Sequence, residues 1–300
     1  MTGTILLSLP VLIYGWVHFL RPSRSEEKRE LFRGVVYQRL VESTPRPLVI
    51  HLVTIDLNTP GIKPLVTPDI GNFGIGEKQI IDKETKARTT PEFVKEFQVQ
   101  LAINGSYFSP FREVTPWNYY PHSGDKTTVL GQTISNNKIY ADQKSNWYVL
   151  CFTNNNQVQI PGGEECPENT IQGLAGDEIL IYRGQSKTSP NQKDKPYPRV
   201  VAATDKEGKK LWLVLVDGKQ PLYSEGITKI ELRKFLKKLG VYTAVNLDGG
   251  GSTALVVANP ETQGNPKTLN APIHTKIPMR VSEAYRRYRP VANHLGFYIK

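Results

Sequence analysis

The sequence predicts an α/β (α+β) fold: a single domain of mixed β-sheets with flanking helices, preceded by an N-terminal hydrophobic helix. Three observations carry this expectation. Apolar runs rich in β-branched residues recur from residue 48 onward. Two helical patterns with recognisable starts, near Thr90 and Thr228, interrupt them. The order strand, helix, strand between Leu211 and Leu247 resembles a βαβ unit with a parallel pair. The N-terminal half is more meander-like, which favours a mixed architecture over a doubly wound sheet.

The chain opens with an uncharged apolar run, Thr4 to Leu20, broken only by Ser8, Pro10, Gly15 and His18. It just reaches the roughly 17 residues needed to span a bilayer. Residues 1–20 are therefore expected to be a membrane anchor or signal segment, with an uncleaved anchor the better reading because no small-residue cleavage site is evident. Residues 21–47 read as a charged linker ending in Ser43-Thr-Pro-Arg-Pro47, and residues 48–300 as the globular domain.

Within that domain Leu48–Leu57 is a β-rich run closed by the turn Asn58-Thr-Pro-Gly61, and Ile62–Val66 is a short strand. Thr90-Pro91-Glu92 starts a helix whose inner face is Phe93, Val94 and Phe97. Val99–Ile103 is a strand running into Asn104-Gly-Ser-Tyr-Phe108. Residues 109–146 are turn-rich, and Phe111, Trp117, Tyr119 and Tyr120 make an ordered rim or lid the expectation there. Residues 184–198 form a second polar loop. Leu211–Val216 is a near-continuous apolar strand ending at Asp217-Gly218. Thr228 and Glu231 form a capping box, each side chain bonding a free amide at the helix start. Leu232, Phe235, Leu236 and Leu239 then recur at helical spacing until Gly240 stops the helix. Thr243–Leu247 and Thr253–Val257 complete the strands.

Hydrophobic content of 39% with 22% charged residues excludes a disordered chain. The net charge of +10 comes from clusters at Arg21–Arg39, Lys206–Lys210 and Lys276–Arg289. Such a surface attracts anions, or is simply solvated. No aromatic-interleaved basic repeat or zinc-finger spacing points to nucleic acid, so no nucleic-acid partner is expected. Cys151 and Cys166 enclose a strand–turn–return segment. The hairpin can join them in a disulfide, worth about 3 kcal/mol for a loop this short, or leave two buried thiols. A disulfide implies an oxidising compartment, whereas the basic flank after Leu20 would keep the domain cytoplasmic.

The stretch Asn246-Leu-Asp-Gly-Gly-Gly-Ser252 carries the most chemistry. A strand ends in three glycines, so successive amides can turn inward and bind an anion, while Asp248 sits at the strand end where sheet enzymes place reactive groups. The plainer alternative is a glycine turn satisfied by its own aspartate. The lysine of a P-loop is absent. Asn104-Gly105 repeats the design of a strand followed by a polar residue and a glycine. Arg199, after Pro198, places a cation beside the strand Val200–Ala203. Asp217 reads first as a turn residue. Asp248, Asp217 and Asp177 together are an alternative oxygen-ligand set for a metal ion, although no zinc spacing exists. His122 in the long loop is a candidate acid or base. His51 and His18 read as packed, and either Asn293 or His294 is a candidate to line the site. Ser252 lacks the context of a serine-hydrolase elbow.

Asn104-Gly-Ser-Tyr-Phe, Pro198-Arg199, Val216-Asp-Gly-Lys, Ser224-Glu-Gly-Ile-Thr228 and Asn246-Leu-Asp-Gly-Gly-Gly-Ser252 resemble the phosphodiester glycosidase family in order and approximate spacing. Gln172-Gly-Leu-Ala-Gly176 and the tail Arg289-Pro-Val-Ala-Asn-His-Leu-Gly296 also look like its bacterial members. The resemblance covers roughly residues 48–300. Ser106 and Val200 depart from the family, which often has glycine and threonine at those positions.

The resemblance implies a hydrolase that cleaves the sugar–phosphate bond of a glycosyl phosphodiester, in cell-envelope or exopolysaccharide metabolism, with no cofactor. In that reading Asp248 is the catalytic carboxylate and Glu225 a candidate second one. Arg199 and the amides of Gly249, Gly250 and Gly251 clamp the anion. Asn104, Gly105, Asn246 and Ser252 complete the substrate-binding set. The partners expected are an anionic glycan or sugar-phosphodiester substrate and a membrane, through residues 4–20. Together with the cysteines, the resemblance puts the domain in the periplasm or outside the cell. The competing reading is a non-catalytic module that binds envelope glycan or sugar phosphate.

Overall fold

The computed structural model describes residues 21–70, 85–115, 118–187, 194–259, 265–273 and 288–300. Its largest sheet has eight strands in the spatial order Glu27–Phe32, Val35–Glu42, Leu48–Asp56, Lys210–Val216, Arg199–Thr204, Thr243–Leu247, Glu178–Tyr182 and Gln185–Ser186. A five-stranded sheet joins Leu101–Asn104 to Leu255–Val257 on one side and His294–Tyr298 on the other. A second five-stranded sheet is centred on Thr170–Gly176 and Tyr148–Thr153.

The period of two along each strand sorts the large sheet's faces. Val200, Ala202, Leu213, Leu215, Val245 and Leu247 face a core shared with Leu101, Ile103, Leu150, Phe152, Leu174 and Phe297 of the smaller sheets. Val201, Ala203, Val214, Val216 and Ala244 face the other way and pack against Leu232 and Leu236 of the helix Lys229–Leu239. That helix has the predicted Thr228/Glu231 capping box and ends at Gly240 with φ 79°. Glu178 ties it to the sheet through ion pairs with Lys229 and Arg233. The helix Thr90–Phe97, capped by Thr89 and Glu92, lays Phe93 and Val94 over Ala102 and Val256.

Several expectations change. The fold is mostly β-sheet and helix-poor, and every strand pairing in the described residues is antiparallel. The strands Lys210–Val216 and Thr243–Leu247 do run in the same direction, but Arg199–Thr204 lies between them, antiparallel to both. A hairpin from Arg199–Thr204 into Lys210–Val216 takes one edge first, so the helical crossover must step over it. The expected linker 21–47 contains two strands of the large sheet. Alternation was present in Val35–Glu42, where Val35, Tyr37 and Arg39 are buried, but the charges obscured it. Arg39 enters the interior because Glu27 on the neighbouring strand pairs with it at 2.9 Å.

The turn-rich stretch 109–146 is built of short strands, among them the hairpin Arg112–Thr115 with Asn118–Tyr120. Trp117 lies outside the described residues, as do residues 1–20 with the expected hydrophobic helix and His18. Among the described residues no helix is long and apolar enough to cross a membrane. Cys151 and Cys166 form a disulfide with a Cα–Cα distance of 5.7 Å.

Candidate active site

The architecture brings five strand ends to one place. Asp248 follows Thr243–Leu247, Asp177 precedes Glu178–Tyr182, and Arg199 opens the strand between the two parallel-running neighbours. Glu178 pairs with Asn246 and Val200 with Leu247, which sets the aspartates and the arginine side by side. From the smaller sheets, Asn104 ends Leu101–Asn104, and Gly176 ends the strand before Asp177.

Asn104 and Gly105 lock this junction. Asn104 Nδ2 donates to the Asp248 carbonyl at 2.6 Å, and its Oδ1 accepts from the Ala254 amide at 3.1 Å. The Asp248 amide donates to the Gly105 carbonyl at 3.1 Å. Asn104 is fully buried and spends its hydrogen bonds on the glycine turn, a positioning role and not the sugar-orienting one expected. Ser106, a departure from the family pattern, is buried too. Its hydroxyl accepts from the Ala175 amide and from Asn293 Nδ2, and Asn293 Oδ1 accepts from its backbone amide. Asn293 thus belongs to the same junction.

Asp248 is buried, and burial is the largest influence on its carboxyl, pushing it up to about 7. Hydrogen bonds from the Ser252 hydroxyl and the Gly249 amide and the charge of Arg289 pull it back, while Asp177 raises it. Arg289 Nη1 donates to Ser252 Oγ at 3.3 Å and the guanidinium lies 4.1 Å from the centre of the Phe111 ring. Burial lowers the Arg289 pKa and Asp248 raises it. Asp177 is raised by burial, with Asn246 Nδ2 donating to its Oδ1 at 2.7 Å. Asn246 Nδ2 also lies 3.1 Å from the Tyr107 hydroxyl. Burial raises the Tyr107 hydroxyl, and Asp177, Asp248 and Arg199 all act on it electrostatically. The predicted residues Asn246, Asp248 and Arg199 therefore converge around one tyrosine ring.

Of the three amides expected to clamp an anion, those of Gly249 and Gly250 are already bonded. The Gly249 amide is taken by the Asp248 carboxylate and the Gly250 amide by the Pro198 carbonyl at 3.0 Å. The Ser252 amide bonds the Gly249 carbonyl at 3.2 Å. Open donors are found instead on the arginines. Among the described residues Arg199 Nε and Arg289 Nε are both buried without a hydrogen-bond partner, an arrangement that costs stability unless water or a ligand completes it. Arg199 lies over the Tyr197 ring at 5.5 Å, and Tyr197 is also among the groups close to Arg289.

Glu225 is exposed on the turn after Asp217, its backbone bonded to Pro47 and Lys219, and no described contact ties its side chain to Asp248. Asp217 accepts from His51 Nε2 at 2.9 Å, from Asn270 Nδ2 at 3.0 Å and from the Ala271 amide. Asn270 in turn holds Thr253 and Leu255, so Asp217 braces the exit of the glycine turn. The metal alternative required Asp217 beside Asp177 and Asp248, and among the described residues no His, Cys, Asp or Glu trio is placed to hold a metal ion. His122 is largely exposed and bonds Asn118 at 2.8 Å. His294 is buried against Phe93 with its pKa pushed down to about 3 by burial.

Sequence reasoning missed Arg289, Tyr107 and Tyr197. Tyr107 stood inside the Asn104–Phe108 motif and Arg289 headed the tail motif, so both signals were present. What singles them out is contact across the fold.

The site is thus a buried carboxyl with a second beside it and two incompletely bonded guanidinium groups. The model of the phosphodiester glycosidase family matches residues 97–298. The chain belongs to that family, whose enzymes act on phosphodiester-linked sugars. No curated protein matches it in sequence. Among solved structures it resembles a hypothetical protein from Synechocystis, with 14% identity and a TM-score of 0.58 over 93% of this chain. This chain spans 64% of the Synechocystis protein. The catalytic domain of zebrafish N-acetylglucosamine-1-phosphodiester alpha-N-acetylglucosaminidase, auto-inhibited by its pro-peptide, matches with 19% identity and a TM-score of 0.56, over 95% of this chain and 93% of that one. A protein from Burkholderia pseudomallei K96243 gives 13% identity and a TM-score of 0.54, over 86% and 75% of the two chains.

Proposed function

We propose that the protein hydrolyses the bond between an anomeric carbon and a phosphodiester, acting on an anionic glycan of the cell envelope or an exopolysaccharide. The observation that carries the reading is that Nε of Arg289, whose charge acts on Asp248, and Nε of Arg199, at the head of the neighbouring strand, are buried with no hydrogen-bond partner among the described residues. An incoming phosphodiester would accept from both and restore the balance that their burial upsets.

With the phosphate held there, the anomeric carbon lies toward the carboxyl groups. The departing phosphate is already a good leaving group, so protonating it matters less than in an ordinary glycoside. Asp248, ionised above about pH 7, activates water or stabilises the oxocarbenium-like transition state. The Ser252 hydroxyl links the Asp248 carboxylate to Arg289 and fixes its rotamer. Asp177, hydrogen-bonded by Asn246, supplies the second carboxyl in the place expected for Glu225.

The disulfide supports an extracytoplasmic domain, with residues 4–20 as its membrane anchor. The test of the activity is release of free sugar from UDP-N-acetylglucosamine and from a synthetic sugar-1-phosphodiester. Asp248→Asn is expected to lower turnover by at least about a hundredfold. A folded variant with wild-type turnover would refute the assignment.

A further inference from the structure

A groove of about 530 Å³ opens beside the site, lined by Trp147, Tyr148, Gly162, Gly163, Glu164 and Glu165 among others. Its volume is that of a small-molecule site. Strand register fixes its place: Tyr148 pairs with Gly176, the residue before Asp177. The Trp147 ring meets the Tyr107 ring edge-on at 5.4 Å, and the Tyr107 hydroxyl reaches Asn246. One side chain therefore separates the groove from the carboxyl pair.

The walls are pre-formed. Cys166, directly after Glu165, is joined to Cys151 on the central strand, and its amide donates to Gln132 Oε1 at 2.7 Å. At the other end of the loop the Tyr182 hydroxyl donates to the Pro161 carbonyl at 3.2 Å. The Asn146 amide donates to Glu164 Oε1 at 2.6 Å, pinning that carboxylate across from the indole. A rigid wall binds with less loss of conformational freedom.

The chemistry of this groove is opposite to that of the arginine pair. Two carboxylates accept hydrogen bonds and repel anions, while a half-buried indole offers an apolar face with a polar edge. That combination suits a ring carrying hydroxyl groups on its rim and C–H bonds on its face. We infer that the groove is a subsite for a neutral pyranose unit of the glycan chain, stacked on Trp147 and hydrogen-bonded by Glu164 and Glu165. The assignment rests on the hydrolytic reading for what the chain is attached to, and names the glycan side of that substrate. Lys144, on an exposed stretch, lies over the Trp147 ring at 4.4 Å, so an incoming sugar displaces a solvated lysine and no packed side chain.

The experiment is calorimetric titration of the whole chain with linear tetrasaccharides of glucose and of N-acetylglucosamine, none carrying phosphate. Saturable binding of at least one tetramer is expected, weakened about tenfold by Trp147→Ala and largely kept by Trp147→Phe. Glu165→Arg, at an exposed position that leaves the core untouched, is expected to weaken it severalfold, and Lys144→Ala to strengthen it. Absence of binding, or binding indifferent to Trp147→Ala and Glu165→Arg, would overturn the subsite. Tetramer binding with these dependences in a protein that hydrolyses no glycosyl phosphodiester removes the hydrolytic reading and supports the subsite. Hydrolysis of a small sugar-1-phosphodiester without tetramer binding removes the subsite alone.

Discussion

Replacing Asp248 with asparagine keeps the shape of the side chain and removes its charge, which separates what the carboxylate does for catalysis from what it costs the fold. In the unfolded chain the group titrates near 3.8, and in the folded protein burial moves it to about 7. Between these values the unfolded state binds fewer protons than the folded one, so stability falls as pH rises. Below about pH 4 both states are protonated and there is no penalty. Above about pH 7 both are ionised and the penalty is complete. At 1.36 kcal/mol per pKa unit it is about 4 kcal/mol at pH 8 and about 2 kcal/mol at pH 5. The asparagine variant lacks this dependence, and every other titrating group is common to both proteins. Urea unfolding at the two pH values should show Asp248→Asn gaining about 2–3 kcal/mol on the wild type from pH 5 to pH 8. The variant should at the same time lose turnover. Stability curves that run parallel over this range would mean that Asp248 is not a buried carboxyl of raised pKa, and the mechanism built on it would fall.

If Asp248 acts in its ionised form, as proposed, the wild-type kcat/KM should rise with pH along a limb near 7; a limb near 4 would contradict this. Arg289→Met should lower kcat/KM by about 10²–10³ and, by removing the cation that holds Asp248 down, move that limb to higher pH. A pH–rate profile of the variant measures both. Asn104→Ala should cost about 2–4 kcal/mol in urea unfolding, since it leaves the Asp248 carbonyl and the Ala254 amide unpaired in the interior. Reducing Cys151–Cys166 should cost about 3 kcal/mol, read as a lower melting temperature in dithiothreitol, and should loosen the groove wall that Cys166 anchors.

The helices Thr90–Phe97 and Lys229–Leu239 were legible because their signals are local: a Pro in the first turn after Thr90 for one, the Thr228/Glu231 capping box for the other, and an apolar stripe on each. The strands around the site were legible as runs of apolar residues, but their neighbours were not. Nothing between Leu211 and Leu247 reveals that Arg199–Thr204 already occupies the edge to which the crossover would return. The two N-terminal strands were read as linker because Lys, Arg and Glu dominate them. Contacts across the strands, Glu27 with Arg39 above all, make that composition compatible with a sheet. In the site, residues flanked by glycine in a strand-end motif were visible one at a time. The roles of Tyr107 and Arg289 come from contacts across the fold, to Asn246 139 residues on and to Ser252 37 residues back, and no periodicity encodes those.

The glycines of the Asn246–Ser252 turn are where motif and geometry part company. An isolated run of three glycines invites the reading of an anion-binding nest. In the folded chain each glycine answers to a neighbour. A Cβ on Gly249 would stand 2.5 Å from the Pro198 carbonyl, and one on Gly250, whose φ is 61°, would stand 2.9 Å from the Tyr197 ring. A Cβ on Gly251 would collide with the Arg289 guanidinium. The turn is bare so that Pro198, Tyr197 and Arg289 can close on it, and this approach brings the Arg289 guanidinium to Asp248 and the Arg199 backbone against Gly249. On the hydrolytic reading, an anion is then held by the arginines that the missing side chains admit and not by the backbone amides. Gly251→Ala is then expected to disturb Arg289 and weaken phosphate-bearing substrates with little effect on a neutral glycan in the neighbouring groove. An unchanged KM for a sugar-1-phosphodiester in the folded Gly251→Ala variant would refute this.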